Sequence, residues 1–112
     1  MTEIRVVDPK TGGEKGKKDA QFSLIPPDFL LALALHYGVG ARKYAPRNWE
    51  RGYLWSLSVD AHSRHLTQWL LGEDIDEETG SNHLIAAAWH LIVLYCFQKW
   101  GRGTNDLPRG EK

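Results

Sequence analysis

The sequence predicts an all-α fold: a small bundle of three to four helices carrying an extended N-terminal arm and associating into an oligomer. Three observations predict it. Three long stretches space their apolar residues at helical intervals. Each stretch is closed by glycine, at Gly38/Gly40, Gly72 and Gly101/Gly103. The only β-like run is the short Ile4-Arg5-Val6-Val7. With 112 residues the chain is expected to be one domain, divided into an arm (1–23), a helical core (24–100) and a frayed tail (101–112).

Each element has its own reason. After Ile4–Val7 the arm becomes a Gly/Lys stretch from Pro9 to Lys18, read as a solvated or extended segment. Pro26-Pro27-Asp28 is a helix start, since proline suits the first turn and an acid suits its positive end. The first helix is expected over residues 27–37, burying Phe29, Leu30, Leu31, Leu33 and Leu35. A connector rich in cations and aromatics follows, over residues 41–53. Ser56 or Ser58 can cap a second helix over 56–71, whose stripe is Val59, His62, Leu66 and Trp69. Gly80-Ser81 opens a third helix over 82–100, antiparallel to the second. It is apolar on nearly all sides, which points to burial against another subunit as well.

Composition narrows the function. The apolar share of 42% and charged share of 25% are those of an ordinary globular protein. Fourteen basic and fourteen acidic residues give no net charge, which disfavours non-specific binding to duplex nucleic acid. The single cysteine, Cys96, excludes an internal disulfide and reads as a core thiol. No signal peptide and no membrane span are visible, so a cytoplasmic location is expected. Walker, dinucleotide-binding and nucleophile-elbow motifs are absent.

The chemistry gathers around the second helical hairpin. His62 and His65 stand on the second helix with Arg64 between them, and His83 and His90 stand on the third. The connecting loop supplies Glu73, Asp74, Asp76, Glu77 and Glu78. In an antiparallel hairpin His65 and His83 lie at similar depth beside that loop, whereas His83 and His90 are about 10 Å apart along the axis and cannot share one ion. Carboxylates suit magnesium or manganese, and imidazole is acceptable to manganese or zinc. The alternative for His62 and His90 is a hydrogen-bonded structural role, and for the acids a solvated turn. The loop is not an EF-hand, because its glycine comes one place late and Ile85 stands where the bidentate Glu belongs. In the connector, Lys43 and Arg47 can meet phosphates while Tyr44 or Trp49 stacks on a base; a loop pinned to the core by its aromatics is the competing reading.

Several blocks together are more specific. Leu24-Ile25-Pro26-Pro27, Gly40-Ala41-Arg42-Lys43-Tyr44, Arg47-Asn48-Trp49-Glu50-x-Gly52, Arg64-His65-Leu66 with Trp69, Gly72-Glu73-Asp74-x-Asp76-x-Glu78-x-Gly80, His83-Leu84 and Ala88-Trp89 span roughly residues 12–95. In this order they resemble a phage and bacterial family of dATP/dGTP diphosphohydrolases (N-terminal type). The resemblance implies an all-α domain akin to the MazG-like pyrophosphohydrolases, which release a monophosphate and pyrophosphate with magnesium or manganese from sites between subunits of a dimer or tetramer. It departs in lacking the usual E-x-x-E and E-x-x-D carboxylate pairs on the second and third helices. It also has His90 where Asn is expected and Ala87 where His is common.

The expectation is therefore a metal-dependent pyrophosphohydrolase of dATP- or dGTP-like substrates. Glu73, Asp76, His83 and His65 hold magnesium or manganese, with zinc as the alternative metal. His65 and Glu73 are catalytic, and Lys43, Tyr44, Arg47, Asn48, Trp49 and Arg64 bind substrate. The rival expectations are a non-catalytic nucleotide-binding module and a helical oligomerisation domain.

Overall fold

The computed structural model describes residues 4–110. Its first element corrects the all-α expectation. Strand β1 (Ile4–Val7) pairs antiparallel with strand β2 (Glu14–Lys17), so the fold is mixed, three helices plus a two-stranded sheet. The turn explains why the arm folds. Asp8 Oδ1 accepts from the amides of Lys10 and Thr11, Asp8 N donates to Gly13 O at 2.8 Å, and Gly12 takes the left-handed conformation at φ 77°. A lysine-rich strand is compatible with this pairing because both faces of the hairpin remain in water.

Helix α1 (Pro27–Lys43) begins where the prolines indicated, with Asp28 in its first turn. It runs six residues beyond the expected end, passing through Gly38 and Gly40 in helical conformation. Glycine weakens a helix by about 1 kcal/mol without forbidding it, and Arg42 and Lys43 suit the negative end of the longer helix. Burial of its leucines within this chain is not observed: Phe29, Leu30, Leu31 and Leu35 are exposed and Leu33 is half-buried. The helix meets α3 through His36 and Tyr37, both edge-on to Trp89, and also reaches Trp49 through Tyr37 and the 71–82 loop through His36 and Lys43.

Helix α2 (Trp55–Leu70) and helix α3 (His83–Trp100) form the antiparallel hairpin at the centre of the molecule. The core is small: Ala86, Ala87, Val93 and Phe97, all on α3. Around Phe97 lie Tyr53, Trp49 and, stacked on Trp49 at 5.9 Å, Trp100. Asn82 caps α3 by accepting from Leu84 N, and Gly101 ends it in the left-handed region at φ 68°.

Neither Ser56 nor Ser58 caps α2. Leu54 occupies that position, and the capping carboxylate comes from the tail: Asp106 Oδ1 accepts from Ser56 N at 2.9 Å and Oδ2 from Ser56 Oγ at 2.6 Å. Residues 102–106 of the tail are therefore docked rather than frayed, and 111–112 lie outside the described residues. Thr104 bridges in parallel with Leu54, and Trp55 Nε1 donates to Arg102 O. Gly52 and Gly103 make this possible, since a Cβ on either would collide with the other segment's backbone. The radius of gyration, 18.5 Å, exceeds the roughly 13 Å of a compact chain this long. Among the described residues, no helix is long and apolar enough to cross a membrane.

Candidate functional site

The loop end of the α2–α3 hairpin assembles a buried chain of polar groups. His65, 5% exposed, points from the middle of α2 and His83, fully buried, from the first residue of α3. Their Nδ1 atoms are 2.8 Å apart, and His83 Nε2 lies 2.6 Å from Glu73 Oε1. The 71–82 loop holds Glu73 there because Glu73 N donates to Gln68 O and His83 N donates to Asp74 O.

These contacts impose an order on the protons. The Glu73 carboxylate only accepts, so His83 Nε2 carries the hydrogen between them. In its neutral form His83 presents a lone pair at Nδ1, which takes the Nδ1–H of His65 and leaves a lone pair at His65 Nε2. Burial, followed by the Arg64 guanidinium, lowers the His65 pKa and keeps that ring neutral at pH 7.

Asp76 sits under the pair, 8% exposed, accepting from Thr79 Oγ1 at 2.8 Å and from Glu78 N. Its pKa is lowered: burial, the largest influence, pushes it up, but these hydrogen bonds and the nearby His65 and His83 outweigh that push. Three of the four expected metal ligands thus form one hydrogen-bonded chain, with Asp76 in its field. As placed, the chain is closed on itself. Among the described residues, no three His, Cys, Asp or Glu side chains surround a common point as a metal requires.

The expected substrate residues are less concentrated. Lys43, at the end of α1, reaches the acidic loop and pairs with Glu78 at 2.8 Å, its ammonium 5.3 Å from the Tyr44 ring. Tyr44 is exposed. Arg47 sits at φ 62°, a left-handed conformation that side chains other than glycine rarely adopt, with Glu50 Oε2 at 3.4 Å. Asn48 and Trp49 begin the short 3-10 turn Asn48–Arg51. Trp49 is packed among Tyr37, Trp89, Phe97 and Trp100, which leaves Tyr44 as the exposed ring of the connector. Arg64 lies on the exposed side of α2 beside Gln68.

The family described as dATP/dGTP diphosphohydrolase, N-terminal, matches residues 9–107. The chain belongs to this family. A dATP/dGTP diphosphohydrolase of Salmonella phage PMBT28 is 33% identical over 96 residues, covering 86% of this chain and 32% of that protein. The chain thus spans about a third of the length of its curated relative. No solved structure matches.

The family match covers Lys43 to His90 and so includes polar groups that sequence reasoning left in the background. His90 Nδ1 is 2.9 Å from the Oγ of the fully buried Ser58, which in turn contacts Tyr53 OH at 2.5 Å. The His90 ring lies nearly parallel to His65, with centroids 6.0 Å apart. Burial first, then the neighbouring His65, pushes its pKa down to about 4. His36 joins from α1, its Nδ1 2.7 Å from Ser81 Oγ, and burial lowers its pKa against the pull of Asp76. Ser58, two turns before His65 on the same row of α2, is the signal that locates the His90 branch. Nothing local marks His36, because its partner is 45 residues away. Beside His36, Ala32, Leu35, Ser81 and Ile85 line an open groove of about 170 Å³, below the roughly 300–1,000 Å³ of small-ligand sites.

Proposed function

We propose that the chain provides the site of a metal-dependent deoxynucleoside triphosphate pyrophosphohydrolase that acts on purine deoxynucleotides and releases the monophosphate and pyrophosphate. The observation that supports this most is the Glu73–His83–His65 chain, which ends in a neutral imidazole beside a carboxylate-rich loop. The relative's printed activity gives the substrate class.

Mechanistically, Glu73 fixes the tautomer of His83, and His83 fixes that of His65. His65 Nε2 is then the acceptor for a proton from the attacking water, a general-base contribution of about 10²–10⁴-fold. Lys43, Arg47 and Arg64 hold the phosphates, Lys43 by exchanging Glu78 for a phosphate oxygen. Tyr44 offers its ring to the base, and Asn48 supplies a further contact from the same connector.

The donor set of two carboxylates and two imidazoles suits manganese, magnesium or zinc. Glu73 and Asp76 would hold the ion while the relay is intact, and His65 and His83 would join them only where their mutual hydrogen bonds open, a state in which the relay no longer operates. When bound, such an ion neutralises charge on the phosphates and acidifies water.

The test is pyrophosphate release from a panel of deoxynucleoside triphosphates with manganese, comparing the native chain with Glu73→Ala and His83→Ala. Turnover that both substitutions abolish is expected. A native protein inactive across the panel overturns the proposal, and nucleotide binding without turnover selects a non-catalytic module. Elemental analysis of protein purified without added metal separates zinc from manganese.

A further inference from the structure

Among the described residues the β-hairpin has no extensive packing against any helix, and all four residues of β1 are exposed. Two strands alone are marginally stable in water, so this element calls for a surface to rest on. Its register defines what it offers. Ile4 pairs with Lys17 and Val6 with Lys15, so these four side chains share one face, two aliphatic and two cationic.

The matching pattern lies at the other end of the sequence's charge asymmetry. Within residues 70–78, Leu70, Leu71 and Ile75 are exposed, Leu71 at 83%. Interleaved with them are five carboxylates and no Lys or Arg. Glu78 is paired with Lys43, Glu73 meets His83 and Asp76 is buried, while Asp74 and Glu77 lie exposed. A zero-net-charge chain with a cationic, aliphatic hairpin and an anionic, aliphatic loop is complementary to itself.

We propose that the 4–17 hairpin docks on the 70–78 loop of a second copy of this chain, with Ile4 and Val6 against Leu70, Leu71 and Ile75, and Lys15 and Lys17 against Asp74 and Glu77. A two-fold dimer makes this contact twice. The groove beside His36 is too small for a nucleotide, and the docked hairpin adds walls and cations to the same end of the molecule. The contact itself is independent of the nucleotide chemistry.

Disulfide trapping tests the proposal. In a Cys96→Ser background, Lys17→Cys and Asp74→Cys chains are mixed and oxidised, one of them carrying a mass tag. A covalent heterodimer is expected. A chain bearing both cysteines that closes on itself as a monomer overturns the second copy in favour of the chain's own loop, and no linkage in either format overturns the contact altogether.

Sedimentation supplies an independent readout. Lys15→Glu/Lys17→Glu is expected to weaken self-association by about tenfold or more, with unchanged helical circular dichroism, and Asp74→Lys/Glu77→Lys in the mixing partner to restore it. Native protein that stays monomeric, or association indifferent to the reversal, overturns the proposal. No nucleotide enters either experiment, so failure here is distinguishable from failure of the triphosphate reading.

Discussion

The two ends of the α2–α3 hairpin are built from different materials. At the open end Phe97 is fully buried and in ring contact with Tyr53 and Trp49, and the tail ties down the start of α2 through Asp106 and Thr104. At the loop end the buried polar groups His65, His83 and Asp76 lie with the small Ala86 and Ala87, the two histidines bonded to each other and Asp76 bonded to Thr79. No buried side-chain N or O atom among the described residues lacks a hydrogen-bond partner. Dispersion and apolar burial hold one end, and chemistry is stored at the other. Stability and the proposed activity are therefore expected to be separable by mutation along a single pair of helices.

The largest expected effect tests the open end. Phe97→Ala removes the largest fully buried side chain, and phenylalanine-to-alanine changes in cores cost about 3–5 kcal/mol. Urea denaturation should show a loss in that range. A loss below about 1 kcal/mol would mean that the aromatic cluster is not the stabilising end.

Next comes a change that should leave stability nearly alone. Glu73 is half exposed (48%), so Glu73→Gln is expected to shift the urea midpoint little. The amide can present an N–H toward His83 Nε2 and reverse the tautomers along the chain, so turnover should fall about 100-fold or more. Equal damage to folding and turnover would erase the distinction between the two ends.

The histidine pair is legible in the sequence because the hairpin is antiparallel and its loop short, which puts His65 and His83 at one level by arithmetic. Glu73 and Asp76 are legible because they lie in that same loop. The β-hairpin is not, since a charged strand on a two-sided exposed sheet has no apolar alternation to betray it; the Asp8–Gly13 turn was its one signal. Nor is the extension of α1 legible, because Gly38 and Gly40 look like stop signals and no clash or positive φ exists there to make them so. The docked tail depends on Asp106 finding Ser56, a pairing 50 residues apart that no local pattern encodes.

A third prediction concerns pH. The His90 pKa falls to about 4 in the folded chain from an ordinary 6.5, so the unfolded chain binds more protons between those values. Stability then rises with pH through that window, is fully present above about pH 6.5, and is lost as pH falls toward 4. The lowered His65 and His36 act with the same sign. Chelator-treated protein should show a urea midpoint that is flat above pH 7 and declines below 6.5. His90→Asn should make the decline between pH 6.5 and 4.5 shallower, because Asn can still bond Ser58 but takes up no proton. An unchanged slope would place the proton uptake elsewhere.

The smallest effect is expected at Arg47, which belongs to neither end. Its φ of 62° costs a residue with a Cβ about 1 kcal/mol, and the ion pair with Glu50 at 3.4 Å is exposed on the arginine side and too long to offset that. Strain of this kind persists where a side chain must be presented in a fixed direction. Arg47→Gly should therefore raise stability by up to about 1 kcal/mol, reduced by the entropy glycine adds to the unfolded chain. It should also weaken nucleotide binding, read as a smaller ligand-induced rise in Tm. Arg47→Ala separates the two causes, because it keeps the strain and removes the guanidinium. If Gly stabilises and both variants lose the ligand response, the connector holds its arginine strained for the phosphate. If Gly stabilises and the ligand response survives, the left-handed turn serves only to aim Trp49 into its cluster.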